Sequence, residues 1–171
     1  MEQRRVFLAA QALGSAVEVT GLDPESFQGD KAAAQWLTQL DSFCTISAAD
    51  IPDLVPILAV VASAKAGAVF TDIRRLRLKE SDRVAAVIAM LESLGGKAEA
   101  GEDTLTVYPG KLTGGTVQSC NDHRIAMAAA IAATVCHEPV TITDARCVEK
   151  SYPHFWAEYR RLGGNYEQYL R

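Results

Sequence analysis

The chain has 171 residues, 49% of them hydrophobic and 22% charged, with a formal net charge of -4. That is enough chain and enough apolar content for one domain with a real core. The acidic balance excludes a global basic field of the kind that attracts nucleic acid, and no apolar run reaches the length that spans a bilayer, so neither nucleic acid nor membrane is expected as a partner.

The chain opens "MEQRRVFLAAQALGS", two arginines and a short apolar stretch. A secretory signal needs a longer apolar core and a cleavage site, so this reads as a helix and the protein as cytoplasmic. Cys44, Cys120, Cys136 and Cys147 form no CxxC pair and no Cys/His cluster with zinc spacing. They are expected to be reduced, mostly buried thiols, and no metal is expected.

Three segments then repeat one pattern: "SAVEVTGLDPESFQGDKAAAQWLTQLDS", "GAVFTDIRRLRLKESDRVAAVIAMLESLGG" and "EPVTITDARCVEKSYPHFWAEYRRLGG". Each opens with an alternating β run ending in a threonine, Thr20, Thr71 or Thr143, and continues through a polar loop into a helix. Val84, Val87, Ile88, Leu91 and Leu94 carry the helical spacing in the second segment. Gly95-Gly96 and Gly163-Gly164 stop the second and third helices. An Ala-rich helix, apolar nearly all round, precedes each segment: "RRVFLAAQALGS", "DIPDLVPILAVVASAKAG" and "NDHRIAMAAAIAATVCHE". "DTLTVYPG" and "GTVQS" read as two further strands. The expected organisation is a single α/β domain of repeat units over about 1–48, 49–119 and 120–171. The first unit lacks the strand that should precede its helix.

The unusual polar residues fall at equivalent places in the repeat. Asp50-Ile51-Pro52-Asp53 and Asn121-Asp122-His123-Arg124 stand before the second and third apolar helices. Asp50 and Asp122 read as N-caps or as parts of a site. His123 and Arg124 sit where the helix dipole disfavours cations, which implies an anionic partner. A second set lies at loop-to-helix junctions: Gln28-Gly29-Asp30-Lys31, Lys79-Glu80-Ser81-Asp82-Arg83 and Lys150-Ser151-Tyr152. The bland reading of the middle run is a Ser81-Asp82 cap and a solvated Glu80–Arg83 pair. Against it, Lys79 and Lys150 match in the repeat and both lie beside helix N-termini, which favour anions. Gathered at one end of a threefold-related backbone, Lys79, Arg83, Arg124 and Lys150 would hold a ligand with phosphate and carboxylate groups, and Asp53 and Glu80 could move protons.

"RLRLKESDR", "NDHRIAMA" and "DIPDLVPILAV", with "GLDPESFQGD" and the closing "VEKSYPHFW", resemble the EPSP synthase (3-phosphoshikimate 1-carboxyvinyltransferase) family over nearly the whole chain. The resemblance implies an enolpyruvyl transferase-like inverse barrel of βαβαββ units around a pseudo-threefold axis, three units to a domain and two domains flanking the active site. It places this chain as the C-terminal domain with the N-terminal domain absent. The implied reaction transfers the enolpyruvyl group of phosphoenolpyruvate to the 5-hydroxyl of shikimate-3-phosphate, without cofactor. Carried over by position, Asp53 resembles the base at the 5-hydroxyl, and Glu80 the group that protonates and later deprotonates the methylene carbon. Lys79 resembles a shikimate-3-phosphate contact. Arg83, Arg124 and Lys150 resemble the clamp on phosphoenolpyruvate, Lys150 also assisting as an acid, and His123 a supporting hydrogen-bond partner. Arg75 stands where some members carry Asn, and its role stays open. Alone, the chain is expected to be inactive, with cations lacking their usual partners and an open strand edge inviting self-association or a separate N-terminal half. The alternative is a non-catalytic anion-binding fragment.

Overall fold

The computed structural model describes residues 5–20 and 30–169. The helices are α1 (Arg5–Ala12), α2 (Asp30–Gln39), α3 (Val55–Ala64), α4 (Arg83–Ser93), α5 (His123–Ala132) and α6 (Phe155–Arg161). The strands are β1 (Cys44–Ser47), β2 (Ala68–Thr71), β3 (Lys97–Ala100), β4 (Thr104–Tyr108), β5 (Gly115–Gln118) and β6 (Val140–Thr143). Short 3-10 helices over Ile73–Leu78 and Ala145–Lys150 link β2 to α4 and β6 to α6.

Local chemistry accounts for most boundaries. Asp82 caps α4 by accepting from the Ala85 N–H at 3.1 Å, and Asp122 caps α5 by accepting from the Arg124 N–H at 3.0 Å. Pro56 sits in the first turn of α3, where its missing N–H is harmless. α4 and α6 end alike: Gly95 and Gly163 take positive φ, and the next N–H reaches back to Leu91 O at 2.8 Å or Tyr159 O at 2.9 Å.

α1, α3 and α5 pack on one another at the centre. Val55 to Ser63 of α3 is wholly buried, as is α5 from His123 to Ala132 except Arg124. Strands and outer helices clothe this bundle. One sheet runs β1-β2-β4-β3, with β1 parallel to β2 and both other pairings antiparallel. β5 and β6 form a separate parallel pair. The 4-residue strands and β4 turn one face inward, with Phe70, Leu105 and Val107 at 0% exposure. No helix of the described residues is long and apolar enough to cross a membrane.

Four sequence expectations change. The run ending at Thr20 is not a strand among the described residues: Val17 N–H bonds locally to Ser15 O at 2.8 Å, and no strand pairs with it. "CTIS" and "KAEA" are strands that the sequence pattern did not reveal. α5 stops at Ala132, before the end of its apolar run. The thiols are not mostly buried: Cys147 is, Cys44 and Cys136 are half-buried, and Cys120 is exposed. "GLDPESFQGD" and the Gln28–Lys31 cluster fall outside the described residues, apart from the α2 backbone from Asp30.

Candidate active site

The N-terminal ends of the three apolar helices face the same end of the molecule. A cavity of about 230 Å³ opens there, lined by Arg5 of α1, Asp53 and Ile57 beside and in α3, His123 and Arg124 of α5, and Ser151. The convergence follows from the repeat. Each helix is apolar nearly all round and holds the same place in its unit, so related units bring their polar starts out at one end.

Asp53 is the hub. Its Oδ1 accepts from Arg83 Nη1 at 2.6 Å and lies 3.5 Å from Lys79 Nζ, and its Oδ2 lies 3.8 Å from Arg124 Nη2. One carboxylate thus draws in Lys79, Arg83 and Arg124 together. Burial pushes the Asp53 carboxyl up, but the Arg83 hydrogen bond and the charges of Arg124, Arg83 and Lys79 outweigh it and hold it below the usual range.

Arg83 does not form the solvated pair with Glu80. It is 2% exposed and grips Asp122, at 0%, through Nε to Oδ2 at 2.9 Å and Nη2 to Oδ1 at 3.3 Å. Burial lowers the Arg83 guanidinium, and the hydrogen bonds and charges of Asp122 and Asp53 more than reverse that, so it stays charged. Asp122 also accepts from Ser81 Oγ at 3.0 Å and caps α5. The sequence left Asp122 open between a cap and a part of the site. Its second duty as Arg83's counter-ion spans 39 positions of chain and leaves no local pattern.

Glu80 pairs instead with His123, Oε2 to Nδ1 at 3.0 Å, the ring buried and the carboxylate half exposed. Lys150 ends its 3-10 turn as Lys79 follows its own, and donates to Asn121 Oδ1 at 2.8 Å. Cys120 and Asn121 both hold positive φ, 53° and 55°, a strained pair that turns the chain sharply into α5 and sets Asn121 before Lys150. Lys79, Arg83 and Arg124 therefore gather around Asp53, the Glu80–His123 pair stands close to Asp122, and Lys150 pairs separately with Asn121. Arg75 lies exposed on the turn. Asn121, Ser81 and Arg5 are site neighbours that residue type alone did not distinguish.

Glu80, Asp122 and His123 offer ligand atoms within 4.8 Å of one another. They make a poor metal cage. Both Asp122 oxygens are engaged by Arg83, Ser81 and the Arg124 N–H, and the guanidinium beside them repels a cation.

The EPSP synthase (3-phosphoshikimate 1-carboxyvinyltransferase) family model matches residues 42–159, a stretch that contains Asp53 and all of this network. The chain belongs to the EPSP synthase family. Among its relatives, the 3-phosphoshikimate 1-carboxyvinyltransferase of Clostridium acetobutylicum is 40% identical over 98% of this chain and 43% of its own length. That of Clostridium kluyveri is 38% identical over 95% and 43%, and that of Methanospirillum hungatei 36% over 93% and 42%. The chain thus spans under half the length of these EPSP synthases. A 2.37 Å structure of EPSP synthase from Acinetobacter baumannii superposes with a TM-score of 0.80 over 96% of this chain and 46% of that one, at 22% identity. The mixed α/β inverse-barrel architecture that the resemblance implied is the EPSP synthase fold.

Proposed function

We propose that this chain is the C-terminal domain of a cytoplasmic EPSP synthase and holds the phosphoenolpyruvate side of its active site. The N-terminal domain would come from sequence beyond the matched half. The observation that carries the proposal is the Asp53 hub: a half-exposed carboxylate surrounded by Lys79, Arg83 and Arg124 at the starts of converging helices. Cations at helix N-termini suit a ligand with both phosphate and carboxylate groups.

In this reading Arg124 and Lys150 take the phosphoenolpyruvate anion, Lys79 the phosphate of shikimate-3-phosphate, and Arg83, locked by Asp122, fixes Asp53 and adds its charge to the clamp. Asp53 accepts the proton of the 5-hydroxyl as its oxygen bonds to C2 of phosphoenolpyruvate. Glu80 delivers a proton to the methylene carbon, and His123 aligns it through the 3.0 Å contact. In the second step the C2–O bond to phosphate breaks, Lys150 protonates the departing phosphate, and Glu80 takes a proton back from the methyl carbon. The donor sets engage no metal or organic cofactor in any step.

The chain alone should not turn over, because losing most of the second substrate's pocket forfeits positioning worth orders of magnitude in rate. Calorimetric titration with phosphoenolpyruvate and with phosphate tests the reading. The wild type should bind both, with Arg124→Ala and Lys79→Ala weakened about tenfold or more, the scale of one lost charge-assisted contact. Equal binding by all three proteins removes these roles. Binding without transfer, once the other half is supplied, would favour the non-catalytic fragment.

A further inference from the structure

The cavity at the starts of α1, α3 and α5 has two halves of opposite character. Arg5, Asp53, Arg124 and Ser151 form its polar rim, and Val6, Leu54, Ile57 and Met127 form an apolar floor. Helix geometry accounts for the layering. Ile57 follows Asp53 by four positions, and Met127 follows Arg124 by three, so each apolar side chain lies about one turn, roughly 5 Å, below a polar one on the same face. The floor is not sealed. Val6, Leu54, Ile57 and Met127 keep 7, 4, 9 and 5% exposure, whereas Ala9, Leu58, Val61 and Ile131, deeper in the same helices, keep 1% or less.

The rim is cationic. Asp53 is its only carboxylate among the described residues, and Arg83 and Lys79, which do not line the cavity, already meet the Asp53 Oδ1. Arg5 and Arg124 bring two further guanidinium groups. An anionic head at such a rim and an apolar body on such a floor make a complementary ligand. Phosphoenolpyruvate, anionic at both ends, has no body to fill the floor. A second cavity, of about 300 Å³, lies at the opposite end of the bundle among Leu13, Lys65, Lys111, Leu112 and Val135. It is the poorer anion site: Lys65 is held by Asp41, and α1 and α3 end there, where helix dipoles disfavour negative charge.

We propose that the first cavity is a binding site for a small carboxylate that carries an apolar chain or ring. The head lies between Arg5 and Arg124, and the body packs on Val6, Leu54, Ile57 and Met127. Because Arg124 serves both ligands, such a carboxylate excludes phosphoenolpyruvate. The inference goes beyond the phosphoenolpyruvate reading and shares only Arg124 with it.

The test is a titration of this chain with acetate, butyrate, hexanoate and hexanol, followed through the carbon-13 methyl signals of Ile57 and Met127. Each methylene buried on the floor should tighten binding by up to about fourfold, so hexanoate should bind at least tenfold more tightly than acetate. Hexanol, without the charge, should bind at least tenfold more weakly than hexanoate. Arg5→Gln should weaken hexanoate at least fivefold, while Lys111→Ala, at the second cavity, should leave it unchanged. Added phosphoenolpyruvate should displace hexanoate. Four results overturn the proposal: hexanoate binding no tighter than acetate, methyl signals of Ile57 and Met127 that do not move, loss of binding in Lys111→Ala in place of Arg5→Gln, or hexanoate and phosphoenolpyruvate bound together without mutual weakening. Phosphoenolpyruvate titrated alone reports separately on the parent reading. Binding of it without hexanoate sinks only this inference, and chain-length-dependent hexanoate binding without it sinks only that reading.

Discussion

Replacing Asp122 by alanine should be among the most damaging single changes in this domain, and the structure says by how much. Asp122 is fully buried and holds an arginine that is itself 2% exposed through two hydrogen bonds, at 2.9 and 3.3 Å. Breaking a buried pair from one side leaves an uncompensated charge, at about 3–5 kcal/mol. Loss of the α5 cap adds about 1 kcal/mol, though the two effects share one carboxylate and need not sum. Asp53→Ala is the control. It removes Arg83's other partner but leaves the Asp122 grip, and the Lys79 and Arg124 contacts it frees are longer and partly solvated, so about 1 kcal/mol is expected. Urea unfolding at neutral pH should show Asp122→Ala losing at least twice what Asp53→Ala loses, at an unchanged m-value. A buried ion pair can be replaced as a unit by apolar groups at little cost, so Arg83→Met with Asp122→Leu should recover most of the stability while abolishing anion binding. An Asp122→Ala loss no larger than that of Asp53→Ala would refute the assignment of the buried charge balance.

Asp53 also sets a pH dependence. Its carboxyl lies lower in the folded protein than in the unfolded chain, so its contribution is present above the ordinary aspartate range and lost as pH falls through the folded value. Acid unfolding below about pH 4, near the ordinary aspartate pKa, should therefore be less steep in Asp53→Asn, measured by midpoint denaturant concentration across pH. Ser63 buries its hydroxyl in α3 with no partner among the described residues. Ser63→Ala should be neutral or stabilising by up to about 1–2 kcal/mol in thermal unfolding, since an unsatisfied polar group is removed. A clear loss would mean the hydroxyl is satisfied.

How far the sequence carries depends on where the determining interaction lies. The buried helices, the Gly-Gly stops and the strands before Thr71 and Thr143 are legible because their causes are local: periodicity, caps and glycine at positive φ. β3 was illegible because Lys97-Ala98-Glu99-Ala100 contains good helix formers and becomes a strand only by pairing with β4. The reverse error occurred at residues 15–20, where alternation without a pairing strand gave no β structure. At the site, the repeat indicated that the helix starts would meet. It could not say that Arg83 would choose Asp122 and Asp53 over its sequence neighbour Glu80, because that choice is made across 39 and 30 positions of chain.

The Asp53 hub carries a tension that bears on the proposed chemistry. A carboxylate held low by three cations is a weak base, and the proposed role requires it to accept a hydroxyl proton. The same geometry resolves this. Lys79 and Arg124, at 3.5 and 3.8 Å, are the looser partners, and they are also the groups proposed to take the substrate anions. An anion drawing them away leaves Asp53 with Arg83 alone and adds a negative charge nearby, and both changes raise its affinity for a proton. The base would thus strengthen only when its substrates are in place. In a carbon-detected NMR titration, the Asp53 carboxyl should titrate at higher pH with phosphate bound than without, and Lys79→Ala should shrink the difference. A carboxyl titrating at the same pH in both states would mean that the cations stay with Asp53 when an anion binds, and its assignment as the base would fall.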